Sequence, residues 1–255
     1  MYIESVKNNR VKQWKKLLTK KEREKTKTYM IEGFHMVEEA VKNNAHIHEI
    51  MLEDESMLEE IGLSSHQMPE NVWTISPEVA RVISGAETPQ GIFAIIVMPE
   101  EITIEAAKGP YLLLDRVQDP GNVGTMIRTA DAAGFEGVIL GDRCADIYND
   151  KTLRSTQGSH FHLKIYRKNL MEVVTLFKKW TIPVYGTALD EEAKSYDTVE
   201  KSKVFALIMG NEGQGLAPEL LAQTTANLYI PIQGKAESLN VAVAAGIVMF
   251  ELQKN

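Results

Sequence analysis

Apolar and polar positions along the first hundred residues follow two rhythms. Residues 6–26 set Val6, Trp14, Leu17 and Leu18 at helical intervals in a lysine-rich stretch, which predicts one amphipathic helix. "TYMIEG" predicts a short strand, and "FHMVEEAVKNN" a helix with Phe34, Val37 and Val41 on one stripe. "IHEIMLE" and "VWTIS" read as strands. "SPEVARVIS" reads as a helix with Ser76 as N-cap and Pro77 in its first turn, and "QGIFAIIVM" as a buried strand. The alternation predicts a small α/β unit over residues 1–100.

Residues 99–110, "PEEITIEAAKGP", are bounded by prolines and rich in charge, and the domain boundary is placed there. A second alternating series fills residues 110–255. Short apolar strands are expected at 111–114, 137–140, 162–166, 183–187, 205–209 and 228–232. Helices are expected at about 123–133, 149–157, 169–180, 217–223 and 239–252. Strands rich in Val, Ile and Leu joined by crossover helices predict a parallel sheet covered on both faces.

Ligands of such sheets sit in loops beyond the carboxyl ends of the strands, and three of those loops are unusual. In "LLLDRVQDPGNVGTMIRTADAAGF", Asn122 is the expected N-cap of a helix that Gly134 closes. Arg128 lies on the face of Thr125 and Thr129, as an anion ligand or as a plain surface arginine. In "VFALIMGNEGQGLAPEL", an apolar strand breaks on Gly210, followed by Glu212, Gly213 and Gly215; glycines there let backbone approach a ligand closely. The spacing matches neither G-x-G-x-x-G nor a phosphate-binding P-loop. In "IPIQGKAESLNVAVAAGIVMFEL", Ser238 is the expected cap of the last helix. Ala242, Ala245 and Gly246 give that helix a face nearly without side chains, suited to very close packing.

Charge changes the picture in one place. The chain of 255 residues has net charge −7 and is 44% hydrophobic, ordinary for a globular protein. Ten basic residues against three acidic ones among residues 1–28 make that segment +7, which leaves −14 for the rest. A basic arm on an acidic body reads either as a solvated helix face or as a phosphate-binding patch. One cysteine, Cys144, excludes an intrachain disulfide and a zinc cluster, and points to the reducing cytoplasm. The longest apolar run, residues 241–250, is far short of the roughly 20 residues a membrane span needs. His46 with His48, and His160 with His162, alternate along expected strands, but no carboxylates accompany them and no metal is expected.

Taken together, "DPGNVGTMIRTADAAG", "IMGNEGQGL" and "IPIQGKAESLNVAVAAG" resemble, in order and spacing, the three motifs of the SpoU (TrmH-like) RNA ribose 2′-O-methyltransferases of the SPOUT superfamily. "YMIEGFHMVEEAV" and "TPQGIFAI" are similar to that family's N-terminal substrate-binding domain. The resemblance implies a parallel-sheet C-terminal domain with a deep trefoil knot, a homodimer formed through that domain, and S-adenosylmethionine as cofactor, released as S-adenosylhomocysteine. It implies an RNA substrate, with ribosomal RNA favoured over transfer RNA. Carried over by position, Asn122, Arg128, Glu212, Ser238 and Asn240 match the catalytic positions. The cofactor is expected against Leu207, Met209, Gly210, Gly213, Ile230, Ile232 and Leu239. Lys12, Lys15, Lys16 and Arg23 of the arm, with Arg154 and Ser159, are the expected RNA contacts. The chain departs from many members at Ala242, where they have serine.

A guanidinium, charged below pH 12 or so, is a poor base. Arg128 is therefore expected to stabilise the developing alkoxide and the neighbouring phosphate, held in place by Asn122 and Glu212. The alternatives are a non-catalytic RNA-binding relative of the same fold and an NAD-dependent enzyme.

Overall fold

The computed structural model describes residues 1–255 except 64–67, 70, 101–102, 106, 189–191 and 255. The chain forms two compact units, one of residues 1–100 with 146–161, the other of 101–145 with 162–255.

The first unit runs β1 (Tyr2–Ile3), α1 (Asn9–Lys16), α2 (Lys20–Thr26), β2 (Thr28–Glu32), α3 (Phe34–Lys42), β3 (Ile47–Leu52), α4 (Met57–Glu60), β4 (Asn71–Ile75), α5 (Pro77–Ile83) and β5 (Ile92–Val97). Its sheet has the order β1-β4-β3-β5-β2. The single helix expected over 6–26 is two. Thr19 interrupts it, because its hydroxyl accepts from the Glu22 amide and caps a new helix. On one face of the sheet Val11, Trp14 and Leu17 pack with Met51, Trp73, Ile75 and Phe93. On the other, α3 covers Tyr29, Ile31, Ile50 and Ala94 together with Leu153. Ser76 and Pro77 start α5 as expected.

The second unit runs β6 (Tyr111–Leu114), α6 (Pro120–Ala132) and β7 (Gly137–Leu140). The chain then passes through α7 (Asp150–Thr156), which belongs to the first unit. It resumes with β8 (Lys164–Arg167), α8 (Leu170–Lys179), β9 (Val184–Thr187), β10 (Lys194–Ser195), β11 (Ala206–Met209), α9 (Pro218–Leu221), β12 (Ala226–Tyr229) and α10 (Val241–Leu252). The seven strands pair in parallel in the order β10-β12-β9-β11-β6-β7-β8. The last strand ends three residues earlier than expected, so Ile230 and Ile232 lie beyond it. Pro231 has no N–H to extend the ladder. β8 likewise starts late, after a 3-10 turn at Ser159–Phe161. His160 and His162 therefore do not share a strand. His160 sits between Tyr29 and Thr156, whereas His162 pairs with Asp131.

Candidate active site

The carboxyl ends of β6 and β11 open the site. β11 stays in register with β6 up to Met209 opposite Leu114, but pairs with β9 only at Ala206 and Leu207. Ligands of parallel sheets bind in the loops beyond such carboxyl ends.

α6 begins at this edge. Its N-cap is Asp119, not Asn122. The Asp119 carboxylate accepts the Asn122 amide at 2.9 Å, and Pro120 occupies the first turn. This frees the Asn122 side chain, whose Nδ2 donates to Glu212 Oε1 at 3.1 Å. On its other side, Asn122 Oδ1 accepts from Asn240 Nδ2 at 3.1 Å. Asn240, not Ser238, caps α10, and its Oδ1 accepts the amides of Ala242 and Val243. One hydrogen-bond relay therefore joins the three sequence motifs. An ionised acceptor, Glu212, stands at one end and the electropositive start of α10 at the other. Each amide in between has one consistent orientation. Burial pushes the Glu212 carboxyl up, but the hydrogen bond from Asn122 and those from backbone amides outweigh it and hold it below the usual glutamate range.

Two expected members stand outside the relay. Ser238 is exposed and makes no hydrogen bond among the described residues. Arg128 is exposed and likewise unpaired. It follows Asn122 by six residues, about 9 Å along the helix and about 120° around it. Asn122 and Glu212 thus hold each other and Asn240, not Arg128.

The cofactor positions divide into two kinds. Leu207, Met209 and Gly210 are buried and can present only backbone. A Cβ at Gly210 would lie 2.4 Å from the Gly215 carbonyl carbon, so this glycine is required by the loop folding back on itself, where the sequence suggests approach to a ligand. Gly213 is exposed, its amide given to Asn211 Oδ1. Residues 230–239 make no backbone hydrogen bond among the described residues. Ile232 and Leu239 hold their side chains 39% and 37% exposed. Free amides and carbonyls beside uncovered apolar side chains fit a molecule with a polar rim and a flat apolar body, such as an adenosyl group.

The expected RNA contacts divide as well. Lys12, Lys15 and Lys16 are exposed on α1. Arg23 is not an RNA contact: it is buried, donating to Leu17 O at 2.7 Å and Asp146 Oδ2 at 2.6 Å. Ser159 is buried too. Arg154 is half-exposed and paired with Asp150 at 2.8 Å.

The residues that sequence reasoning missed are Asp115, Arg116, Asp119 and Asn211. Asp119-Pro120 is a legible start signal, an N-cap residue followed by proline. Nothing local marks the other three.

A parallel sheet whose carboxyl-end loops gather one polar relay beside an uncovered loop defines a cofactor-dependent α/β enzyme. Residues 109–250 match the SpoU rRNA Methylase family, and residues 8–94 match the MRM3-like substrate binding domain. The chain belongs to the SpoU rRNA methylase family. It is 50% identical, over 98% of both chains, to the 23S rRNA (guanosine(2553)-2′-O)-methyltransferase RlmP of Bacillus subtilis. Its fold superposes on the AdoMet-bound rRNA methyltransferase from Sinorhizobium meliloti with a TM-score of 0.88 at 33% identity, covering 99% of this chain and 97% of that one. The SpoU methyltransferase AviRb from Streptomyces viridochromogenes, in complex with AdoMet, gives 0.82 at 26% identity, with 97% of each chain covered.

Proposed function

We propose that this chain methylates a ribose 2′-hydroxyl of large-subunit ribosomal RNA, at a guanosine, using S-adenosylmethionine. The observation that carries the reading is the Glu212–Asn122–Asn240 relay, which ties the three family motifs into one site. When bound, the cofactor supplies an electrophilic methyl group on a sulfonium. The chain's task is then to align the hydroxyl and stabilise the charge that develops on it. Arg128, exposed and without a partner among the described residues, is the cation for that role and for an adjacent phosphate. Asn122 and Asn240 set the α6 and α10 ends of the site, Glu212 holds Asn122 from the loop after β11, and Ser238, free on the 230–240 loop, orients substrate or cofactor.

The chain works as a homodimer through the second unit, with the trefoil knot of its family. α10 supports this reading. Val243 and Phe250 are 53% and 49% exposed on its outer face, with Ile247 between them. A Cβ at Gly246 would meet only Thr129 Cγ2 at 3.5 Å, an ordinary contact, so nothing in this chain requires glycine there. A second copy laid against this face supplies the reason. In the first unit Lys12, Lys15 and Lys16 serve the RNA backbone, and a ribosomal substrate places the enzyme in the cytoplasm. No described helix is long and apolar enough to cross a membrane.

The test is methyl transfer from S-adenosylmethionine to 23S RNA from cells lacking the protein, with ribose methylation mapped before and after. Wild type is expected to restore one 2′-O-methyl. Arg128→Ala is expected to lose at least about 100-fold in turnover, the scale of a lost transition-state donor, with cofactor affinity little changed. Near-normal turnover by Arg128→Ala would remove Arg128 from the role.

A further inference from the structure

The end of β6 grips the loop that carries Glu212. Asp115 is buried, and its Oδ2 accepts the Ala217 amide at 2.9 Å. Arg116 meets the same carboxylate with two parallel bonds, Nε to Oδ1 at 3.0 Å and Nη2 to Oδ2 at 2.9 Å. The rest of its guanidinium reaches the 211–217 loop, Nη1 to Gln214 Oε1 and Nη2 to the Gly215 carbonyl, both at 3.2 Å. The Arg116 carbonyl accepts Asn211 Nδ2 at 2.9 Å. Residues 115 and 116 thus hold the 211–217 loop at Asn211, Gln214, Gly215 and Ala217, on both sides of Glu212.

The backbone of Arg116 adds a second, independent observation. Its φ is +55°, the left-handed region that favours glycine or asparagine. An arginine there carries a conformational cost that glycine would not. The guanidinium's bonds to the loop and to a buried carboxylate supply the compensation.

We propose that Asp115 and Arg116 are positioning residues for the methyl-transfer site, clamping the 211–217 loop so that Glu212 meets Asn122. The proposal rests on the reading of the relay as that site. Neither residue touches the reacting atoms; both act through the loop.

Arg116→Gly separates the side chain from the backbone, because glycine keeps the φ and loses the guanidinium. Hydrogen exchange on the unliganded protein reads the clamp, and calorimetric titration with S-adenosylmethionine reads its consequence. In Arg116→Gly, exchange across 211–217 is expected to rise roughly tenfold, as is the cofactor Kd, the scale of a lost pair of charge-assisted bonds. Exchange in β6 and β11 and the unfolding midpoint are expected to stay near wild type. Arg116→Lys, which keeps the charge but not the fork, should fall between. Wild-type exchange in 211–217 would overturn the proposal. So would a general rise across β6 and β11 with a lowered midpoint, the mark of a merely structural role. Should Arg116→Gly not fold, Gln214→Ala removes one clamp contact from the loop side; unchanged loop exchange there is equally fatal. A wild-type protein that binds no S-adenosylmethionine would sink the methyl-transfer reading, while the exchange data still decide the clamp.

Discussion

Arg23 shows how far a residue's role can depart from the company it keeps in sequence. It stands among ten basic residues and reads as one more phosphate contact. In the fold its side chain is 4% exposed, paired with an Asp146 carboxylate 123 residues away in sequence. Arg10 is similar in kind. Its guanidinium lies 4.3 Å over the Trp73 ring and donates to Glu49, a buried carboxylate that also accepts the Trp14 indole N–H. Both arginines fasten the helices of the arm to the rest of the first unit, while Lys15 and Lys16 stay exposed to solvent or phosphate. Breaking a buried pair from one side leaves an uncompensated charge. Arg23→Ala is therefore expected to destabilise the protein by about 3 kcal/mol, read as a shift of the urea midpoint. Lys16→Ala should leave that midpoint within about 0.5 kcal/mol of wild type. Equal effects of the two would refute the distinction. No local pattern reveals it, because Arg23 and Lys16 sit in the same lysine-rich context and the deciding partner is remote.

At the level of elements, the segment 146–161 is the main departure from the sequence reading. Hydrophobic rhythm places α7 correctly as a helix between two strands of the second sheet. It does not say which core the helix joins. In the fold, Leu153 joins the apolar cluster of the first unit, and the Tyr148 ring packs at a tilt against Tyr29 with ring centroids 4.4 Å apart. His160 Nε2 hydrogen-bonds with the Tyr29 hydroxyl at 3.2 Å, and the Asp150 carboxylate sits where a Cβ at Gly85 would be. A fragment of residues 1–100 therefore lacks part of its core and the partner of Arg23. It is expected to be molten or unfolded by near-UV circular dichroism. The same fragment with residues 146–161 attached through a flexible linker should show a cooperative transition. A cooperative unfolding curve for 1–100 alone would show that the segment is dispensable. Helix starts were more legible. Asp119-Pro120 and Asn240 before an apolar run are local cap signals, and the misassignments to Asn122 and Ser238 arose because several polar residues compete at each start.

At the scale of the molecule, the exposed face of α10 is the feature that one chain leaves unexplained. An apolar stripe of Val243, Ile247 and Phe250 on a helix whose interior also holds glycine costs solubility and helix stability unless it is covered. Phe250→Asp is expected to convert the proposed homodimer to monomer in light scattering and to lower methyl transfer. A wild-type monomer at micromolar concentration would remove the dimer from the proposed function. The sequence by itself determined the two α/β units, the parallel second sheet, the order of three unusual loops and the family they resemble. Those features are written in local rhythm, glycine placement and short motifs, which need no distant partner to be read. Only the tertiary structure decided that Asn122 binds Glu212 and Asn240 rather than Arg128. It alone decided that Arg23 and Ser159 are interior, that α7 belongs to the first unit, and that Asp115 and Arg116 hold the Glu212 loop. Each of these is a contact between residues far apart in the chain. A side chain's partner there is set by how strands and helices are laid side by side, which residue type and local spacing leave open.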